Sequence, residues 1–294
     1  MSIPFLKHDT LPTGVVEELG RPRGVRLRRL RCGNPGAFTF LGTNTYLIGE
    51  GAVAVLDPGP EDAAHHDAIL AALAGERISH ILVTHTHQDH SPGAAALQAS
   101  SGAPTLGFGP HRTPPSEELR GGDHAFVPDR RLADGETLEG EGWRLTALHT
   151  PGHCATHLCF ALEGTGVLFS GDHVMSWSTS VVSPPDGDMA AYMAGLARLA
   201  AREDRLFLPG HGPPLPDPAP FTRALLAHRE AREAALRAAL RQHGPATVEA
   251  LVQRLYNPID ERLLPAAARS LLAHLLKLEA EGAARRTGKA WATA

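Results

Sequence analysis

A run of potential metal ligands is the most informative feature of this sequence. Residues 85–90 read His-Thr-His-Gln-Asp-His and directly follow an apolar run, residues 81–83. The apolar run predicts a short buried strand that ends at Thr84. Alternate side chains of an extended chain point the same way, so His85 and His87 can share one metal ion. Imidazole and carboxylate groups suit zinc, and also iron or manganese.

The next residues predict how the strand turns into a helix. Ser91-Pro92 is typical of a helix start, with Ser91 as the capping residue and Pro92 at the first helical position. The turn between strand and helix would direct Asp89 and His90 toward a neighbouring point. That point is close enough to the first one for a second metal ion.

Three more candidate ligands lie where a predicted strand gives way to a loop. They are His153, which follows the strand-like residues 143–149, and Asp172 and His211, which each follow an apolar run. Proteins of the α/β class build their sites at such strand ends. We therefore expect these side chains to belong to the same site as residues 85–90.

In this order, the motifs resemble the metallo-beta-lactamase superfamily over about residues 40 to 215. The resemblance implies an α/β fold, an αββα sandwich with the site along one edge of two packed sheets. It implies that the first metal ion is held by His85, His87 and His153. The second would be held by Asp89, His90 and His211. Asp172 would bridge the two ions.

Two metal ions bridged in this way imply hydrolysis. They would share a hydroxide and bring the pKa of bound water to around 7. Asp89 would bind metal and orient the hydroxide, which makes it the candidate catalytic residue. The chemistry suits phosphodiesters, thioesters, esters and lactones, and the absence of a Gly-x-Ser-x-Gly motif argues against a serine hydrolase. Two zinc ions are the expected cofactors, with iron or manganese as alternatives.

Two other segments are candidates for substrate contact. Trp177, Ser178 and Thr179 follow the strand that ends at Asp172, and they would form the lip of the site. Thr43 and Asn44 would approach the site from the first hairpin. An ordinary loop, or a polar turn, is the alternative in each case.

Two further histidines and a group of arginines carry predictions about packing. His157 is either a support for the ligands or an ordinary residue at a strand end, and His173 should point away from Asp172. A cluster of arginines predicts the solvent face of an edge strand; its members are Arg26, Arg28, Arg29 and Arg31.

Composition narrows the class of protein. The chain of 294 residues is long enough for one large domain or two ordinary ones, and its apolar fraction of 43% is enough for a core. The sequence contains no run of 18 apolar residues, so no membrane span is predicted, and the N-terminus lacks a signal-peptide core. Cys32, Cys154 and Cys159 are too few for a disulfide framework and predict buried thiols in a reducing cytosol. We therefore expect a cytoplasmic protein.

The composition changes after a proline-rich segment. Residues 209–220 contain six prolines and predict a linker that is neither helix nor central strand. Beyond it, apolar spacing predicts helices over residues 221–243, after a cap at Thr247, and over residues 264–281. A short basic segment, with hairpin character, ends the chain. These features predict a catalytic domain, residues 1–215, and a winged-helix-like helical domain, residues 216–294.

Further motifs are similar to those of the beta-lactamase-like protein 2 group. They are residues 40–47, residues 177–179, His228-Arg229 and Arg232-Glu233. The animal member of that group is a single-strand-selective endoribonuclease, and fungal relatives are thioesterases, so the resemblance implies either chemistry. Residues 219–294 carry a net charge of +5 and the remainder −9, which slightly favours single-stranded RNA over a small acyl substrate. A packing module, including one that forms a homodimer, is the alternative.

Overall fold

The computed structural model describes residues 3–117, 121–256 and 260–294, and two β-sheets form its centre. The strands of the first sheet, β1 to β7 in spatial order, are Glu17–Gly20, Leu27–Arg31, Asn44–Ile48, Ala52–Leu56, Arg77–Leu82, Thr105–Gly107 and Arg130–Arg131. The first four strands pair antiparallel, and β4 to β7 pair parallel.

The second sheet has six strands and comes from the middle of the chain. Strands β8 to β13 are Thr137–Gly140, Trp143–His149, Leu158–Leu162, Val167–Gly171, Leu206–Pro209 and Leu215–Pro216, with the spatial order β13-β12-β11-β10-β9-β8. Strands β11 and β12 are parallel and the other neighbours are antiparallel. The three strand runs predicted before His153, Asp172 and His211 are therefore present in one sheet.

Helices cover the outer faces of both sheets. The helices α1 to α6 are Ala63–Leu73, Gly93–Ser101, Met189–Ala200, Pro218–His243, Val248–Leu255 and Leu264–Ala280, with 3-10 turns at Pro22–Gly24 and Glu261–Leu263. Helices α1 and α2 pack on the first sheet, while α3 and the start of α4 pack on the second.

Three apolar layers hold this sandwich together. Between the sheets, Tyr46 and Ile48 of β3 pack in one cluster with Phe160 and Phe169 of β10 and β11. Alternate residues of the same strands face outward into the helix layers, as Cys159 does beside Phe160. Strands covered on both faces need apolar residues throughout, which explains their continuous apolar runs. The predicted αββα sandwich is confirmed.

The C-terminal helices and a terminal hairpin form a fourth apolar cluster. The hairpin consists of β14, Ala284–Thr287, and β15, Ala290–Thr293, as the basic segment predicted. Trp291 of β15 packs with Leu236 of α4 and Leu271 of α6. Thr247 caps α5 by accepting from the backbone N of Ala250, so the predicted cap is confirmed.

The proline-rich segment is more ordered than the sequence predicted, and the linker prediction is wrong. Leu215–Pro216 forms the edge strand β13, and α4 begins at Pro218, three residues earlier than expected. An edge strand tolerates proline because one side of it needs no ladder hydrogen bond. The first helical turn tolerates proline because its N–H groups have no acceptor within the helix.

The arginine cluster was also predicted wrongly. Strand β2 lies between β1 and β3, so it is not an edge strand, and Arg28 and Arg29 are only 1% exposed. Arg29 pairs with Asp9 at 2.9 Å, and Arg28 pairs with Glu76 at 2.6 Å. Carboxylates from distant segments cover these arginines, which no local pattern could reveal.

All three cysteines are free and buried, as predicted. Burial raises the pKa of the Cys154 thiol to about 12, so it stays protonated at neutral pH. Among the described residues, no helix is both long enough and apolar enough to cross a membrane.

Candidate metal centre

Strand ends bring seven of the predicted residues to one edge of the sandwich. His85 and His87 follow β5 of the first sheet, whereas His153, Asp172 and His211 follow β9, β11 and β12 of the second. An isolated bridge between Thr43 and His211 connects the two sheets at this edge. The ligand candidates of both sheets therefore face one another.

The first group of ligand atoms comes from three histidines. His87 Nδ1 lies 2.9 Å from His85 Nε2 and 3.1 Å from His153 Nε2. Ligands about 2.0–2.1 Å from a tetrahedral metal ion lie about 3.3 Å from one another, so this spacing suits one ion.

The second group combines a carboxylate with two histidines. His211 Nε2 lies 3.1 Å from Asp89 Oδ2 and 3.2 Å from His90 Nε2. The Asp89 oxygen is 3.6 Å from His90 Nε2. These atoms again have the spacing of ligands around one ion.

Asp172 lies between the two groups. Its Oδ2 atom is 3.6 Å from His153 Nε2 of the first group and 3.4 Å from His211 Nε2 of the second. Its Oδ1 atom is 3.6 Å from His90 Nε2 and has no hydrogen-bond partner among the described residues. A buried carboxylate oxygen without a donor fits a cation.

Hydrogen bonds behind the rings fix which nitrogen faces the centre. Nδ1 of His153 faces the carbonyl of Val181 at 2.7 Å, and Nδ1 of His211 faces that of Gly42 at 3.3 Å. A carbonyl only accepts, so each neutral ring carries its proton on Nδ1 and presents the Nε2 lone pair to the centre. This is the arrangement by which proteins orient histidine ligands.

Two glycines allow the close approach of the segments that carry the ligands. A Cβ at Gly210 would lie 2.5 Å from Asp172 Oδ1 and 2.7 Å from the His90 ring. A Cβ at Gly93, in the first turn of α2, would lie 2.6 Å from the Pro58 carbonyl oxygen. A larger residue at Gly210 would displace Asp172 or His90, and one at Gly93 would displace the backbone that follows Asp57.

Comparison with known proteins agrees with this geometry. The profile of the "Metallo-beta-lactamase superfamily" matches residues 38–211, and that of the "Beta-lactamase associated winged helix domain" matches residues 247–291. This chain belongs to the metallo-beta-lactamase superfamily. The second match also confirms the predicted winged helix.

Individual relatives cover most of the chain. A beta-lactamase-like protein 2 homolog from Drosophila melanogaster is 32% identical over 269 residues, 88% of this chain and 89% of that protein. An atrochrysone carboxyl ACP thioesterase from Paecilomyces divaricatus is 36% identical over 231 residues, 77% of this chain and 67% of that protein. The crystal structure of a metallo-beta-lactamase family protein from Thermus thermophilus has a TM-score of 0.74 at 28% identity, with 91% and 98% coverage.

In this member of the superfamily, Asp57 supports the centre, and the sequence analysis missed it. Asp57 Oδ2 accepts from His90 Nδ1 at 3.0 Å, while its two oxygens accept from the N and Oγ1 of Thr84, both at 2.7 Å. Asp57 directly follows β4, so its position at a strand end was a signal that could have identified it.

We expect Asp57→Asn to weaken metal binding by roughly 10- to 100-fold, as replacement of residues behind metal ligands commonly does. Asparagine has the same shape and tolerates the positive φ of 51° at this position. Its amide group cannot accept from all three donors, so His90 or Thr84 loses its partner. Chelator competition measures the effect, with Asp62→Asn as the control because Asp62 caps α1 away from the ligands. Equal affinities of the two variants would contradict the assigned role.

The histidines adjacent to the ligands have different roles. His157 Nε2 accepts from the backbone N of Asp172 at 3.0 Å, so His157 supports the bridging candidate. His173 points away, as predicted, and packs on the Tyr192 ring at a centroid distance of 4.8 Å. The cap predicted at Ser91 is wrong: α2 has no side-chain cap, and Ser91 Oγ donates to Asp123 at 2.6 Å.

The two groups differ in their electrostatics. Burial lowers the pKa of His85 well below its ordinary value and that of His87 to about 3, so both rings are neutral and can bind a cation. Burial also opposes a charge on His211, but the Asp172 and Asp89 carboxylates raise its pKa to about 9. A cation in the second group would displace such a proton. The donor set therefore fits two divalent cations.

The predicted substrate segments lie beside the centre. Trp177, Ser178 and Thr179 are partly exposed, whereas Thr43 and Asn44 are fully buried. Asn44 Nδ2 donates to the carbonyls of Pro209 and Gly212 at 2.9 and 2.8 Å, which braces the segment that carries His211.

An aromatic lip, of which the sequence predicted only Trp177, adjoins the second group. We define it as Phe38, Phe40, Leu41 and Trp177. Phe40 stacks on Trp177 at a centroid distance of 4.9 Å, while Phe38 and Leu41 are 55% and 37% exposed. Three of its residues, Phe38, Phe40 and Leu41, come just before Gly42, whose carbonyl faces His211. An exposed apolar surface beside a reactive centre is suited to an apolar part of a substrate.

Proposed function

We propose that this chain is a dinuclear metal-dependent hydrolase that cleaves acyl thioesters. The observation that carries the hydrolase assignment is Asp172, whose two oxygens face both groups of ligand atoms. Zinc is the cation we propose first, because three imidazoles with one carboxylate, and two imidazoles with two carboxylates, are ordinary zinc donor sets. Iron or manganese would fit the same nitrogen and oxygen donors.

In this proposal each residue has a defined task. When bound, the cations lower the pKa of water toward 7 and polarise the acyl oxygen. Asp172 would hold both cations when they are bound, because its negative charge would offset their repulsion. Asp89, with one oxygen 3.1 Å from His211, orients the attacking water. The water oxygen would form a bond to the acyl carbon as the carbon–sulfur bond breaks, and a proton of that water would pass to the leaving thiolate.

The acyl part of the substrate would lie on the aromatic lip. Trp177 and Phe40 offer a flat apolar surface, and exposed Phe38 extends it. Thioesterase relatives cover most of this chain, which supports the same substrate class. The charge distribution alone slightly favoured single-stranded RNA over an acyl substrate. Because of these relatives, we place the acyl thioester first. The exposed Arg285, Arg286 and Lys289 of the terminal hairpin would favour RNA as the alternative substrate.

A substrate comparison tests the proposal. We expect metal-reconstituted wild type to hydrolyse an aromatic acyl thioester, a synthetic N-acetylcysteamine conjugate, and to leave labelled single-stranded RNA intact. Trp177→Ala should raise KM for that thioester about tenfold and change the hydrolysis of an acetyl thioester little, because the shorter acyl group does not reach the lip.

A different result would identify RNA as the substrate. If RNA is cleaved by the wild type and not by Asp172→Ala, while thioesters are inert, the chain is a ribonuclease. Substituting Arg285, Arg286 and Lys289 together should then weaken RNA binding and reduce its dependence on salt.

A further inference from the structure

The C-terminal helices hold a short loop that orients a ligand of the first group. Arg229 of α4 donates from Nη2 to the carbonyl of Ser180, and Ser270 Oγ of α6 accepts from the N of Val182 at 3.4 Å. Between these two attachments, the carbonyl of Val181 accepts from His153 Nδ1 at 2.7 Å. The ring of His153 therefore depends on a loop that is fixed from the C-terminal part of the chain.

The same loop contacts the backbone of the bridging candidate. Ser180 Oγ donates to the carbonyl of Asp172, and it lies 3.2 Å from the carbonyl of His173. Displacement of residues 180–182 would thus disturb one ligand of the first group and the residue shared by both groups.

Arg229 is a buried charged residue. Its side chain is almost fully buried, at 3% exposure, and its guanidinium lies 5.3 Å from the centre of the Tyr192 ring. Among the described residues, no carboxylate lies within 4.0 Å of it. A buried charge without an acidic partner is costly. Its hydrogen bond to the carbonyl of Ser180 and its contact with the Tyr192 ring offset part of this cost.

The neighbouring residues of the same motif, one turn further along α4, contact other parts of the chain. Arg232 donates from Nη1 to the carbonyl of Leu255 and lies 4.1 Å from the centre of the Tyr256 ring. Glu233 pairs with Lys277 of α6 at 2.8 Å. One turn of α4 thus connects the metal centre, through Arg229, with the winged helix, through Arg232 and Glu233.

We propose that Arg229 and Ser270 are positioning residues for the metal centre. They hold residues 180–182 so that His153 points its Nε2 atom at the first group and Asp172 stays between the groups. The winged helix would then contribute to metal binding without supplying a ligand. This inference rests on the proposed metal centre, and it does not depend on which substrate is hydrolysed.

The test compares Arg229→Met, Arg229→Lys and Arg232→Met in the full-length chain. Methionine keeps the apolar contact with Tyr192 and removes the donor, while lysine keeps a donor. We expect Arg229→Met to lose roughly 10- to 100-fold in zinc affinity by chelator competition. The absorption bands of its cobalt-substituted form should also change, since these bands report ligand geometry. Arg229→Lys should recover most of the affinity.

Arg232→Met is the matched control, because it removes an arginine from the same helix without touching residues 180–182. Arg232→Met should lower the thermal stability and leave the zinc affinity within about threefold of the wild type. This change is smaller than the loss that follows when residues behind metal ligands are replaced. Equal zinc affinity in Arg229→Met and wild type, or equal losses in both methionine variants, would overturn the proposal. Wild type that binds zinc without hydrolysing thioesters would refute the proposed substrate and leave this inference standing.

Discussion

Asp172→Asn is expected to reduce turnover by at least 10²- to 10³-fold, and to lower the metal content from about two ions per chain to one or fewer. Asparagine keeps the shape of the side chain and removes its negative charge. Two divalent cations repel each other strongly in a buried site, and the Asp172 carboxylate is the group that faces both. Elemental analysis of protein purified without chelator, together with steady-state kinetics, measures both effects.

Asp123→Asn is the control for this experiment. Asp123 is also a buried carboxylate, but it accepts from Ser91 Oγ and from backbone N atoms, and it belongs to neither ligand group. Its replacement should cost stability while both metal ions are retained. An Asp172→Asn protein with full metal content and wild-type turnover would show that the bridge is misassigned. A wild type with a single iron ion would instead point to oxygen chemistry.

Local sequence signals were sufficient to predict that the candidate ligands lie close together and to predict the layers of the fold. His85 and His211 each follow an apolar run, and such runs form strands wherever both faces are covered. His153 follows the strand-like residues 143–149. Strand ends meet at one edge of a sandwich, so ligand types at strand ends predict a common site. The αββα architecture could be predicted for the same reason.

The partners of residues that lie far apart in the chain could not be predicted, even where a strand end marks a candidate such as Asp57. Asp57 contacts His90 across 33 residues, and Arg229 contacts Ser180 across 49. Such pairs depend on how sheets and helices pack, and a pattern of neighbouring residues contains no information about that packing. The buried Arg28 and Arg29 were misplaced at a solvent face for the same reason, since Glu76 and Asp9 lie 48 and 20 residues away.

Ending the chain at Pro220 is expected to give an insoluble protein that binds no metal. The cut removes Phe221 and Leu225, which are 5% and 1% exposed and pack in one cluster with Tyr192 and Phe207. Each such side chain contributes about 1.5–3 kcal/mol on burial, against a total stability of about 5–15 kcal/mol for a domain. The cut also removes Arg229, and with it the attachment of residues 180–182. Solubility after expression and metal content of any recovered protein measure the outcome.

A pair of leucine substitutions tests the same packing in the intact chain. Leu225→Ala should lower the free energy of unfolding by about 2–5 kcal/mol, because the helix cannot collapse into the space left against the second sheet. Leu276→Ala, at a position that is 37% exposed, should cost much less. If the chain that ends at Pro220 were soluble, loaded with metal and fully active, residues 221–294 would be an independent appendage. The start of α4 would then contribute nothing to the catalytic domain, contrary to its place in the outer layer of the sandwich.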